Sequence, residues 1–217
     1  MKIKWLGHAC FLITTDKGIK IITDPYEAGF RGIVNYDPVK EAADIVTISH
    51  QHGDHNYVKD LKGSPELIQG KGKHQIKGIG FIGISSYHDR VSGQERGNNT
   101  IFCFTVDDIK ICHCGDLGHP LDDEDLYSLG HVDLLLVPIG GPPPTLELHE
   151  AINLWGKFQP SVIIPMHFRN EKCTFPKYGI EDLLRIKPEV IRAGKSEVQL
   201  TADHLPSGQI LTLDPAL

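Results

Sequence analysis

No apolar run in this chain approaches the roughly 20 residues that a membrane-spanning helix needs, so no membrane partner is expected. The opening Met1-Lys2-Ile3-Lys4-Trp5 lacks the long apolar core of a signal peptide and reads as a strand. Cysteine is scarce. Cys10, Cys103, Cys112, Cys114 and Cys173 form an odd set without framework spacing, so reduced thiols and a cytoplasmic address are expected. Positive charge is short as well: 22 Lys and Arg face 28 Asp and Glu, and the formal net charge of −6 argues against long nucleic acid as a partner. Low-complexity tracts and internal repeats are also missing. What remains is an ordinary globular composition, 40% hydrophobic over 217 residues, which suits one sizeable domain spanning 1–217.

Against this plain background, Ser49-His50-Gln51-His52-Gly53-Asp54-His55 is dense in chemistry. Three imidazoles and a carboxylate follow the apolar run Ala43-Asp44-Ile45-Val46-Thr47-Ile48. Imidazole nitrogen and carboxylate oxygen are the ligands that borderline divalent metals such as zinc prefer. In an extended chain His50 and His52 share a face. Gly53 would let the backbone turn, so that Asp54 and His55 reach a second position nearby. That geometry suggests a pair of metals. A polar loop merely rich in histidine is the alternative, but the H-x-H-x-D-H order is far more specific than a lone H-x-H.

The elements around this stretch follow from apolar periodicity and turn signals. Residues 2–6, 9–15 and 19–23 read as antiparallel strands that stop at Asp24-Pro25. Residues 26–40 read as a surface loop facing the substrate, with a helical turn over 38–43. A short helix is expected over 56–61, then strands over 66–69 and 74–86. A hairpin turns at Asp107-Asp108. Helices are expected over 121–129, 147–158 and 179–186, with a further strand near 198–200 and a loose C-terminus closing with 209–213. The continuous apolar runs 132–139 and 161–167 read as strands buried on both faces.

Polar residues fall at the ends of these strands. Four apolar strands run into Ser49-His50, Tyr87-His88, Gly115-Asp116 and Met166-His167. Sites form beyond the carboxyl ends of strands, where loops converge. Each residue alone has a plain structural explanation: His88 and His167 as satisfied histidines, Asp116 as turn chemistry. Taken together with the dense stretch, they point to one shared site.

These residues carry a resemblance. The chain is similar to metallo-β-lactamase-fold hydrolases, and more narrowly to the small cytoplasmic group near the ascorbate-6-phosphate lactonase-like proteins. The matching segments are Trp5-Leu6-Gly7-His8-Ala9-Cys10-Phe11, Thr23-Asp24-Pro25, His50 through Asn56, Tyr87-His88-Asp89, Gly115-Asp116, Pro138-Ile139-Gly140-Gly141 with Thr145, and Pro165-Met166-His167. The resemblance implies an α/β fold, a four-layer αββα sandwich with the site at one edge between two sheets. It places His50, His52 and His88 on one metal, Asp54, His55 and His167 on the other, and Asp116 between them. Asp24 would fix the ligand loop. The loop Pro142-Pro143-Pro144-Thr145-Leu146 departs from the group in its prolines and is expected to border the substrate.

The implied activity is that of a metal-dependent hydrolase. Two divalent ions share a hydroxide that attacks a small ester, lactone or phosphoester. Zinc is the expected ion, with manganese, iron and nickel as alternatives. Asp54 could orient the nucleophile or take its proton, and His8 and His119 are candidate donors near the leaving group. Arg90, Arg96, Asn98 and Asn99 could face an anionic substrate group. The partner is a small-molecule substrate, and a homo-oligomer is compatible with the sequence. A phosphodiesterase or nuclease on the same metals is the alternative enzyme, and a diiron oxygen- or nitric-oxide-reducing protein a more distant one. A non-enzymatic metal or ligand sensor is the alternative from another class. Cys112-His113-Cys114 resembles half a zinc knuckle, but strand alternation explains it better. Replacing His52 with Ala is expected to remove a metal equivalent and nearly all turnover. Full metal content in that variant would sink the ligand assignment.

Overall fold

Short apolar segments between turn signals become strands, and the computed structural model, which describes all 217 residues, sorts them into two sheets. The first part of the chain forms β1 (Lys2–Gly7), β2 (Cys10–Thr14), β3 (Lys20–Thr23), β4 (Ile45–Ile48) and β5 (Glu66–Gln69). Next come β6 (Gly72–Ile76), β7 (Ile79–Tyr87), β8 (Asn98–Val106) and β9 (Ile109–His113). Helix α1 (Asp123–Leu129), β10 (Leu134–Pro138), α2 (Leu148–Phe158), β11 (Val162–Met166) and α3 (Ile180–Ile186) follow. The chain closes with β12 (Ile191–Arg192), β13 (Glu197–Gln199) and β14 (Gln209–Thr212). One sheet has the order β13-β1-β2-β3-β4-β5, and the other β12-β14-β11-β10-β9-β8-β7-β6.

Alternation along β2 shows how the layers are built. Phe11 and Ile13 join a large core shared with the second sheet, whereas Cys10 and Leu12 face a smaller cluster on the other side. That is the period-2 geometry of a strand buried on both faces. The smaller cluster is completed by Tyr26, Val34, Tyr36 and Val39 from the long β3–β4 connection. Buried residues of the helices, among them Leu129, Leu154 and Leu183, belong to the large core. The two-sheet α/β sandwich is thus present, with irregular chain rather than helix covering the outer face of the first sheet. No helix is long and apolar enough to cross a membrane.

Central strand β10 is buried at all five positions and pairs in parallel with β9 and β11. Parallel neighbours need crossovers, which α1 and α2 supply. In the β8–β9 hairpin, Asp107 and Asp108 both take positive φ (49° and 61°), the conformation of a two-residue primed turn. The same device overturns one expectation. Residues 74–86 were expected as one strand, but Lys77 and Gly78 take φ of 51° and 80° and fold the segment into the β6–β7 hairpin. The helix expected over 56–61 and the helical turn over 38–43 are absent. Hydrogen bonds to segments distant in sequence replace helical ones there: Tyr57 N donates to Pro25 O at 2.8 Å, and Lys62 N to Glu41 O at 3.0 Å.

All carboxyl ends that carry polar residues open on one edge of the sandwich, so the core fixes the site. Phe102 on β8 is fully buried in the large core. Replacing it with Ala is expected to cost about 3–5 kcal/mol of stability through lost packing and a cavity. Urea unfolding checks this, and a loss below about 1 kcal/mol would contradict the packing described.

Candidate metal centre

Three of the positions that build the site have left-handed backbone. His8 follows Gly7 in the turn from β1 to β2 with φ of 54°, Asp24 follows β3 with φ of 39°, and His167 follows β11 with φ of 50°. Such conformations are uncommon for residues with a side chain, cost on the order of 1–3 kcal/mol each and cluster at functional sites. In the ligand loop, Gly53 serves close approach rather than positive φ, because an added Cβ would run into the Phe30 ring at 2.5 Å. Gly115 has a φ of 56°, and a side chain there would collide with Asn99 and Ser49.

The strand ends converge on one buried carboxylate. Asp116 Oδ2 lies 3.2 Å from His88 Nε2, 3.2 Å from His167 Nε2, 3.3 Å from His55 Nε2 and 4.0 Å from His50 Nε2. Around it the remaining side chains divide into two groups. His50, His52 and His88 bring their ligand atoms within 4.8 Å of one another, and His8, Asp54, His55 and His167 do the same. His8 thus sits in the second group, its Nε2 3.5 Å from Asp54 Oδ2 and its ring centroid 4.1 Å from that of His167.

Buried partners aim these side chains. Asp24 accepts from Ser49 N at 2.8 Å and from Ser49 Oγ at 2.5 Å, and meets His55 Nδ1 at 2.9 Å. A proton on that nitrogen leaves His55 Nε2 as the ligand atom. Similarly, His88 Nδ1 lies 3.1 Å from the carbonyl oxygen of Pro144, which gives the proline-rich loop a contact with the ligand set. Sequence reading missed two supports. Asn99 Oδ1 accepts from Asp116 N at 3.0 Å, while Asn99 Nδ2 donates to Ser86 Oγ and Cys114 O. His113 holds Ala9 O through Nε2 at 2.9 Å and accepts from Gly115 N. Nothing local in the sequence identified His113 as a buried support or named its partner.

Several expectations are corrected here. His119 stands apart from the cluster. Its Nε2 accepts from Tyr87 N at 3.1 Å and its Nδ1 meets Pro120 O at 2.9 Å, so both ring nitrogens are engaged in a loop staple. Asn99 is buried and satisfied, and Arg90 is paired with Glu150, so neither is free for an anion. By contrast, Cys112 and Cys114 are free and buried, in keeping with the strand reading preferred over a zinc knuckle.

The donor set fits a divalent cation. His8 Nε2, His50 Nε2, His55 Nε2, both ring nitrogens of His167 and Asp116 Oδ1 are buried without hydrogen-bond partners. Unmatched buried polar atoms are costly, about 1–3 kcal/mol each, and cation coordination is one way to use them. Protonation preferences of the metal-free cluster agree. Burial, helped by His167, lowers the His8 pKa to about 4. Burial also lowers His50, His52 and His88. For Asp116 burial acts upward, but His167, His55 and His88 outweigh it and hold the carboxyl well below its usual range. His55 is the exception. Burial opposes its charge, but Asp116 and Asp54 raise it. Neutral imidazole and ionised carboxylate are the forms that coordinate a metal. Above the cluster opens a cleft of about 550 Å³ with His52, Asp54, His88 and Asp116 on its lining, flanked by Phe30, Arg31, Arg96 and Phe175.

A two-sheet sandwich with histidine and aspartate ligands at its strand ends is the architecture of the metallo-β-lactamase class. A family model described as "Beta-lactamase superfamily domain" matches residues 2–167, and the chain belongs to that superfamily. A UPF0173 metal-dependent hydrolase of Carboxydothermus hydrogenoformans is 30% identical, over 77% of this chain and 84% of its own length. A UPF0173 protein of Pyrococcus abyssi is 31% identical over 77% of this chain and 83% of its own. Among solved structures, a candidate Zn-dependent hydrolase of the metallo-beta-lactamase superfamily from Thermotoga maritima superposes with a TM-score of 0.80. It is 31% identical, and the match covers 98% of this chain and 97% of that one. Within the superfamily, the protein is therefore one of the UPF0173 metal-dependent hydrolases.

Asp24 is expected to act on metal through His55 and Ser49. Asp24→Asn should weaken metal affinity about 10–100-fold while the circular dichroism stays native. Unchanged affinity in a competition titration with a chelating dye would remove Asp24 from the account.

Proposed function

We propose that the protein hydrolyses a small ester, lactone or phosphoester with two divalent cations held in the histidine–aspartate cluster. His50, His52 and His88 would hold one and Asp54, His55 and His167 the other, with Asp116 between them. The carrying observation is the convergence of ring nitrogens on Asp116, those of His50, His55 and His167 having no hydrogen-bond partner. Zinc is the favoured ion, supported by the donor types and by the Zn-dependent description of the Thermotoga relative, with manganese, iron or nickel as alternatives.

When bound, such a pair acidifies water and polarises a carbonyl or phosphoryl oxygen. The chain's own residues do the rest. Asp24 and the Pro144 carbonyl fix the ring orientation of His55 and His88. Asp54 is the group proposed to orient the attacking water, as an ionised acceptor of its hydrogen bond. It lines the cleft, and its carboxyl is held below its usual pKa because His55 and His8 outweigh burial. His8 is buried behind Asp54 and is assigned to orienting it, its Nδ1 resting 3.6 Å from Cys173 Sγ. A cleft of about 550 Å³ on an acidic protein favours a small molecule over long nucleic acid. Five free, buried cysteines support a reducing, cytoplasmic setting.

Turnover of at least one member of a lactone, aryl ester and phosphodiester panel is expected. Chelation should abolish it, and restored zinc or manganese should recover it. Chelator-resistant hydrolysis of a panel member would contradict the mechanism.

A further inference from the structure

Four of the six arginines are matched to carboxylates: Arg90 to Glu150, Arg169 and Arg185 to Asp182, and Arg192 to Glu181. Arg31 and Arg96 have no carboxylate partner and no side-chain hydrogen bond. Both line the cleft over His52, Asp54, His88 and Asp116. An arginine pair left unmatched at the mouth of a reaction site, while the others are matched, calls for a ligand.

The two come from different connections and each is held by its backbone. Arg31, between β3 and β4, occupies a tight turn in which Gly29 N donates to Val34 O at 2.8 Å. Its own φ is 50°, a conformation that glycine would adopt more readily, yet an arginine stands there. Its guanidinium lies 5.1 Å from the Phe30 ring centroid, within cation–π reach, and its N–H groups make no hydrogen bond. Arg96 lies between β7 and β8. Its backbone N donates to Asp89 Oδ2 at 2.8 Å, and the same carboxylate takes the backbone N–H groups of Val91, Gly93 and Glu95. Asp89 follows His88 directly, so the Arg96 loop is tied to the ligand strand. Such preorganisation lowers the ordering cost of binding.

Two opposing features set the limits of the site. Glu95 also lines the cleft and adds negative charge beside Arg96. Phe30, Ile33 and Phe175 give the cleft an apolar wall. The complementary ligand has an apolar body and a compact anion able to meet guanidinium N–H groups.

We propose that Arg31 and Arg96 form an anion-recognition pair, so that the substrate carries a carboxylate or phosphate group in addition to its scissile bond. The word substrate rests on the hydrolase reading above. The binding claim does not.

The probes are 4-nitrophenyl benzoate and its 4-carboxy and 4-phosphono derivatives, given to zinc-loaded full-length protein. The matching free acids (benzoate, terephthalate and 4-phosphonobenzoate) are titrated calorimetrically. Charge-assisted hydrogen bonds of this kind are expected to favour the anionic esters about 10-fold in kcat/KM, chiefly through KM, and the doubly charged acids about 10-fold in affinity. The double variant Arg31→Gln/Arg96→Gln should bring both ratios close to one, and Arg31→Lys/Arg96→Lys should retain part of each. A larger effect with the phosphono series assigns a phosphate, and with the carboxy series a carboxylate. Equal handling of neutral and anionic esters, with binding of the acids unchanged by the Gln variants, overturns the arginine pair and leaves the hydrolase reading standing. Arginine-dependent binding without turnover of any ester upholds the pair and counts against that reading.

Discussion

One buried carboxylate, Asp116, holds four imidazole nitrogens within 4.0 Å of a single oxygen. Burial makes charge expensive, and crowded imidazoles repel one another once protonated. A cluster of this kind is poorly satisfied by protein alone, and its unmatched nitrogens are donors suited to a cation. A divalent cation resolves the mismatch, because it binds ionised carboxylates and the neutral imidazoles that burial favours at His50, His52 and His88. The fold is the device that keeps those groups together.

Rigidity for that purpose comes from the sheets and from a layer of supporting hydrogen bonds. Asp24 ties the end of β3 to Ser49 and His55 beyond β4, and Asn99 on β8 ties to Asp116 beyond β9. Each tie crosses between strand termini and holds one ligand, His55 or Asp116, in place. Left-handed backbone at His8, Asp24 and His167 places strain where the chain leaves its strands. The large core beneath, shared by both sheets and the helices, provides the stability against which that strain is held.

Much of this was legible in the sequence because the ligands follow apolar runs. Ile45–Ile48 before His50, and Val162–Met166 before His167, announce both a buried strand and a polar end. The primed turn at Asp107-Asp108 was readable for the same local reason, whereas Lys77-Gly78 carries a weaker turn signal and hid a hairpin. Less legible were features set by distant contacts. Residues 56–61 have helical spacing, but hydrogen bonds to Pro25 and Glu41 in neighbouring segments hold that region as turns. Asn99 looked like a loop residue open to an anion, and only the approach of Asp116 and Cys114 shows it to be a buried support. His119, close in sequence to Asp116, is turned away by its bonds to Tyr87 and Pro120. Side-chain type and spacing identify a ligand set, but the partner of each second nitrogen is a property of the folded chain.

The central claim is that the histidine–aspartate cluster is a cation site with two positions. Native mass spectrometry of the protein, stripped by chelator and then reloaded with zinc, tests it most directly. The expected result is a mass increase of two zinc ions in the wild type, falling by at least one when His50 and His88 are both replaced by Ala. An unchanged mass after reloading, or two ions retained in the double variant, would contradict it.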